Sequence, residues 1–229
     1  MTMKKLVAIE LKKMALNKYV RHAIIANIVI ACLVFMTTVL TSMGGEGVPQ
    51  MAVTTVIDSL VKSTFIVWES VLIANFIIEE FRSKTILILF SYPLDRKKAI
   101  ISKLLIIFSV IFISMFASQL IQNALFFTLN QFLPVINYSV TASEITVILL
   151  TTITSILLGM LPLYVGMVNK STVTTVVSSI LIVSLTVSSG GQDGSGLITV
   201  LPVSVTMAAV GVGLVYMAIQ KMLSEDIIL

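Results

Sequence analysis

The sequence predicts an all-α integral membrane protein: six transmembrane helices, both termini cytoplasmic, an N-terminal interfacial helix, and a short cytoplasmic helix between helices 2 and 3. Three observations predict it. The chain is 57% hydrophobic and only 11% charged, where a soluble domain carries about 25% charged residues. Six apolar stretches recur, at roughly 22–43, 57–78, 104–128, 144–168, 171–189 and 203–221, each close to the ~20 residues a helix needs to cross ~30 Å of hydrocarbon. Fourteen of the fifteen Lys and Arg residues fall on the same side of those stretches. Lys4, Lys5, Lys12, Lys13, Lys18 and Arg21 precede the first. Arg82, Lys84, Arg96, Lys97, Lys98 and Lys103 separate the second from the third. Lys170 lies between the fourth and fifth, and Lys221 closes the sixth. Cytoplasmic connections retain positive charge, which places both termini inside. Lys62, early in the second stretch, is the exception.

The spans are helices because lipid leaves backbone groups no partner outside their own segment. The ~10-residue alternation of an outer-membrane barrel is missing. The chain reads as one domain, 1–229. A net charge of +4 and a pI near 9.2 are accounted for by topology, so no nucleic-acid partner is expected. A cleaved signal peptide is not expected either: the basic region runs to Arg21 and the following stretch is too long for an h-region. Cys32 is the single cysteine, which excludes an intrachain disulfide and a thiol pair.

Taken in order, residues 4–20 alternate basic and apolar positions. They form either an interfacial helix lying on anionic headgroups or a basic tail that sets topology. His22 opens the first crossing as an interface residue; no second histidine exists to make a metal site. Gly44, Gly45, Gly47 and Pro49 punctuate an outer loop. Asn130, Pro134 and Asn137 mark the uncharged connection between helices 3 and 4. Asn169 and Lys170 turn tightly into helix 5. There Ser171, Thr175 and Ser179 recur every fourth residue and share one face, suited to close packing or to lining a polar path. After Gly190–Gly196, residues 197–202 are too short to cross alone. They form an outer re-entrant piece, or simply the start of helix 6.

Chemistry-bearing motifs are few. The chain has no G-x-x-x-x-G-K-[ST] phosphate loop, no H-E-x-x-H zinc motif and no G-x-S-x-G elbow. No catalytic residue, metal site or resident cofactor is expected, and any energy comes from a gradient or a partner. Glu69 is the intramembrane carboxyl on which gradient coupling would depend; a charge at that depth costs about 2.5–3.5 kcal/mol on insertion scales. Its alternative reading is a neutral carboxylic acid held in a bundle. Gln119 and Asn123 share one face of helix 3, for cross-helix hydrogen bonds or substrate contact.

The connection 79–103 is the most specific feature. Glu79 with Arg82, and Glu80 with Lys84, have the i,i+3 and i,i+4 spacings that support a helical turn. Ile86, Leu87, Leu89 and Phe90 then form the apolar side of a short helix ended by Pro93. Such a helix, displayed on the inner surface, suits docking into a groove. The segment resembles the cytoplasmic coupling region of ABC-2 type permeases, the membrane subunits of type-2 ABC exporters. Glu80, Thr85, Pro93, Arg96 and Lys103 stand at that pattern's places, and Lys84 stands where it has glycine.

The resemblance covers essentially the whole chain. It implies a permease working as a homodimer or with a sister permease, each bound to a separate ATPase subunit that holds ATP and Mg. It implies coupling through the region 79–98, with Glu79, Glu80, Arg82, Lys84, Thr85, Pro93 and Arg96. Glu69, Gln119, Asn123, Ser171, Thr175 and Ser179 would face the translocation pathway. Small permeases of this kind resemble exporters of antimicrobial or amphipathic peptides, in bacteriocin-immunity and phenol-soluble-modulin systems, set in the bacterial cytoplasmic membrane. Two other readings stand beside it: a gradient-coupled carrier using Glu69, and a non-transporting membrane scaffold.

Overall fold

The computed structural model describes residues 16–43, 52–83, 96–132, 138, 142–188 and 201–224. Among the described residues every regular element is helical and none is a strand. In order they are α1 (Leu16–Met43), α2 (Val53–Ile73), a π-helical turn (Ala74–Ile78), α3 (Glu79–Arg82), α4 (Arg96–Phe132), α5 (Ala142–Gly159), α6 (Leu161–Asn169), α7 (Thr172–Ser188) and α8 (Leu201–Ser224). Five helical segments are long and apolar enough to cross a membrane: Tyr19–Thr41, Val53–Arg82, Lys97–Phe132, Ile145–Asn169 and Val205–Met222. The predicted fifth crossing is shorter. α7 has 17 residues, about 26 Å of helix.

The boundaries differ from the sequence reading in three places, each for a local reason. Residues 16–20 of the expected interfacial helix run unbroken into α1; residues 4–15 lie outside the described part. α2 begins at Val53 rather than 57, which places Asp58 in its second turn rather than at its first residues. The stretch 144–168 is not one helix: it breaks at Met160, between α5 and α6. Pro162 sits in the first turn of α6, where its missing N–H is tolerated but the ladder of α5 cannot continue through it. Of the short cytoplasmic helix expected around Glu80–Tyr92, residues 80–82 are helical in α3 and 84–92 lie outside the described residues; of the expected re-entrant piece, Leu201 and Pro202 open α8 and 190–200 lie outside.

α2 is the hub. It packs against α1, α4, α5, α6 and α7, and Ile57, Val61, Phe65, Leu72 and Ile73 are buried in the centre of the main apolar cluster. The outer surface is apolar as well: Ile24, Ile28, Met36 and Leu40 on α1 and Val173, Leu181 and Leu185 on α7 are all exposed. Meanwhile Asp58, Lys62, Glu69, Gln119, Gln122 and Thr151 are buried. Apolar outside and polar groups inside suit helices whose solvent is lipid.

Basic residues gather at one end. Tyr19, two positions before Arg21, packs its ring 6.0 Å from Phe76 of the π turn. The α6–α7 turn lies beside the same segment, since Gly166 stands against Ile78. In that turn Lys170 adopts the left-handed conformation (φ 47°) and donates its N–H to the Gly166 carbonyl. Lys103 pairs with Glu80, so the start of α4 belongs to this end too.

Candidate functional site

Lys62, the one cation that broke the charge pattern, is paired. It lies one turn from Asp58 on α2, is fully buried, and its ammonium is ion-paired with the Asp58 carboxylate. The same Nζ donates to Thr151 Oγ1 of α5 at 2.6 Å. Gln119 Nε2 of α4 donates to the other Asp58 oxygen at 2.8 Å. Three helices are thus tied through one buried pair whose donors and acceptors are matched. The network continues: the Asn123 amide donates to the Gln119 carbonyl at 2.7 Å, and the Tyr138 hydroxyl donates to Asn123 Oδ1 at 2.8 Å. Asn130 then closes on the Tyr138 backbone, donating to its carbonyl at 3.2 Å.

Gln119 and Asn123, foreseen on one face of helix 3, are therefore members of a network centred on Asp58 and Lys62. Sequence reasoning missed that pair. The signal that could have found it is the i,i+4 spacing of opposite charges, with both residues inside the predicted second stretch.

A second polar joint ties α1 to α4. Ser118 Oγ donates to Asn27 Oδ1 at 2.7 Å, and Gln122 Nε2 donates to the Asn27 carbonyl at 2.8 Å.

Glu69 stands apart from both. It is fully buried on α2, and among the described residues neither carboxyl oxygen has a hydrogen-bond partner. It packs against Gly159, the last residue of α5, where any side chain would overlap the carboxyl. The next residue, Ser70, shares a 2.7 Å hydrogen bond with Ser179 of α7. Thr175 is buried against Gly166 of α6. Ser171 caps the helix, its Oγ accepting from the Thr174 N–H at 3.4 Å. In this conformation the Ser171/Thr175/Ser179 face is turned toward α2 and α6.

At the basic end, Glu79 and Arg82 are mostly exposed and 3.8 Å apart. Glu80 is different: its side chain is largely buried in the ion pair with Lys103. That pair bridges α3 and α4, clamping the two feet of the connection 84–95 together. Lys97 is exposed beside it. Lys84, Thr85 and Pro93 lie outside the described residues, as does the side chain of Arg96.

The chain is similar to one curated protein, the uncharacterized protein YcbO of Bacillus subtilis (strain 168). It is 31% identical over 229 residues, covering 96% of this chain and 99% of that protein. No family model matches the chain, and no solved structure matches it.

Proposed function

The chain belongs to the family of YcbO, and we propose that it is the membrane-spanning permease subunit of an ABC exporter. In this reading it crosses the bacterial cytoplasmic membrane six times with both termini inside, α7 supplying the shortest crossing. Its partners are a separate ATPase subunit, which binds ATP and Mg, and a second permease copy or sister permease. The cargo is an amphipathic or antimicrobial peptide, or a similarly hydrophobic compound, reaching the pathway from the inner leaflet.

The observation that carries the reading is the clamped connection at the basic end. Glu80 with Lys103 fixes the feet of residues 84–95, so a force applied to that connection is delivered to α2 through α3 and to α4 directly. Glu79, Arg82 and Lys97 are exposed around it, a mixed-charge rim of the kind that orients a docking partner. The π-helical turn between α2 and α3 adds a point at which the end of α2 can re-aim, a common position for such turns.

The test is co-purification in detergent with the ATPase encoded nearest the gene. Wild type is expected to hold the ATPase in 1:1 association. Glu79→Arg with Arg82→Glu is expected to weaken it by roughly tenfold or more, as loss of about 1.4 kcal/mol of docking contact requires. Glu80 is left intact because its substitution would loosen the clamp itself. Failure of any ATPase to associate with folded protein would sink the assignment.

Glu69 favours a second reading. A fully buried carboxyl without a partner among the described residues is what a gradient-coupled carrier would use. Glu69→Gln is expected to leave ATP-dependent transport intact under the permease reading and to abolish pH-dependent flux under the carrier reading.

A further inference from the structure

Between α4 and α5 lies a cavity of about 230 Å³. It opens on the outside of the bundle, and its mouth is formed by Leu120 and Leu149, both exposed apolar side chains. One end is defined by Asn123, Phe127, Tyr138 and Ile145, the other by Phe116 and Thr152. The two ends differ chemically. Tyr138 belongs to the connection after α4, so its hydroxyl and the Asn123 amide mark the end of the cavity nearest the helix termini. From there the lining runs seven residues along each helix, Asn123 back to Phe116 and Ile145 on to Thr152, about 10 Å, and is apolar apart from Gln119 and Thr152. Half of a bilayer core is about 15 Å thick.

We propose that this cavity is a binding site for one acyl chain of a bilayer phospholipid. The ester region lies at Tyr138 and Asn123, and the chain runs down between α4 and α5 toward Phe116 and Thr152. The match is one of polarity along depth. A tyrosine hydroxyl beyond a helix end sits at headgroup level, and the mostly apolar walls continue inward as far as a chain segment reaches. The mouth faces the same apolar surface that contacts lipid elsewhere on these helices, so an acyl chain enters without crossing a polar barrier. The Asp58–Lys62 pair bears on the site through Gln119, which lines the cavity and also donates to Asp58. A seated chain keeps water from that hydrogen bond. The proposal rests on the helices spanning a membrane and is independent of the ATPase assignment.

The test uses full-length protein in vesicles of phosphatidylcholine and phosphatidylglycerol, with a trace of phosphatidylcholine bearing a diazirine in its acyl chain. After irradiation, adducts are mapped by peptide mass spectrometry. Adducts are expected to concentrate on α4 and α5 at the cavity, about tenfold over Ile24 and Ile28 of α1, which are exposed on the outer surface away from any such cavity. Ile148→Trp, filling the cavity, and Leu149→Trp, blocking its exposed mouth, are each expected to remove that excess while leaving α1 labelling unchanged. Even labelling of the cavity and α1, or an excess that survives both variants, would overturn the site. So would occupancy by a second copy: in a Cys32→Ala background, ready disulfide formation by Leu149→Cys in membranes would show that protein, not lipid, covers the mouth.

Discussion

Lys62→Met is expected to lower the midpoint of thermal unfolding in detergent by roughly 6–20 °C. Removing one partner of a buried ion pair costs about 3–5 kcal/mol, and each kcal/mol shifts the midpoint of a protein this size by about 2–4 °C. The cost is not the lost attraction alone. Asp58 would keep its Gln119 hydrogen bond but remain a buried charge without a counterion. Thr151, whose hydroxyl already bonds within α5 at 2.8 Å to the Val147 carbonyl, loses less. The double variant Asp58→Asn with Lys62→Met removes both charges and keeps an amide within reach of Gln119. It is expected to recover most of the loss, because well-packed neutral replacements of buried pairs are often neutral or better. Circular dichroism melts of the wild type, both single variants and the double variant form a cycle that isolates the pair. A double variant as unstable as the singles would show that the three-helix joint depends on packing at these positions rather than on charge.

This pair also shows what the sequence could carry. The six apolar stretches, the basic end and the tight turn at Asn169–Lys170 were legible because each depends on local composition or on one residue's backbone preference. Lys62 was legible as an anomaly. Its explanation, Asp58, lay one turn away in the same stretch, at a spacing that sequence alone can read. Glu80 read as the i,i+4 partner of Lys84, because Lys103, with which it pairs, lies 23 positions away on another helix. No spacing rule reaches that far. Tyr138 is similar: nothing in an uncharged loop announces a hydroxyl that closes a network running back to Asp58. The break at Met160 was within reach, since Pro162 was visible, but an apolar run of twenty-five residues reads as one span when hydropathy alone is weighed. Ser171, Thr175 and Ser179 were correctly seen to share a face; which helices that face meets is a tertiary fact.

Gly211→Ala is expected to lower the unfolding midpoint by roughly 2–12 °C, while Gly213→Ala, two residues on, raises it by about 1–4 °C. The two glycines share a helix, α8, and a local sequence, so propensity treats them alike. Helix propensity favours alanine at both by about 0.5–1 kcal/mol. Packing separates them. α8 meets α5 and α6 along a face of Ala208, Gly211, Val215, Ala218 and Met222, spaced three and four apart, and its small members let backbones approach. A Cβ on Gly211 would come 2.5 Å from the Leu157 carbonyl oxygen, which cannot rotate away as a side-chain tip could. The helices must separate, and every contact along the seam loosens. Among the described residues a Cβ on Gly213 meets nothing within 4 Å, so only the gain in helix propensity remains. Opposite signs from one chemical change on one helix would fix the α5–α8 seam in place. Equal signs would mean that α8 is rotated about its axis from the packing described, and the lipid-facing assignment of its outer side would fall with it.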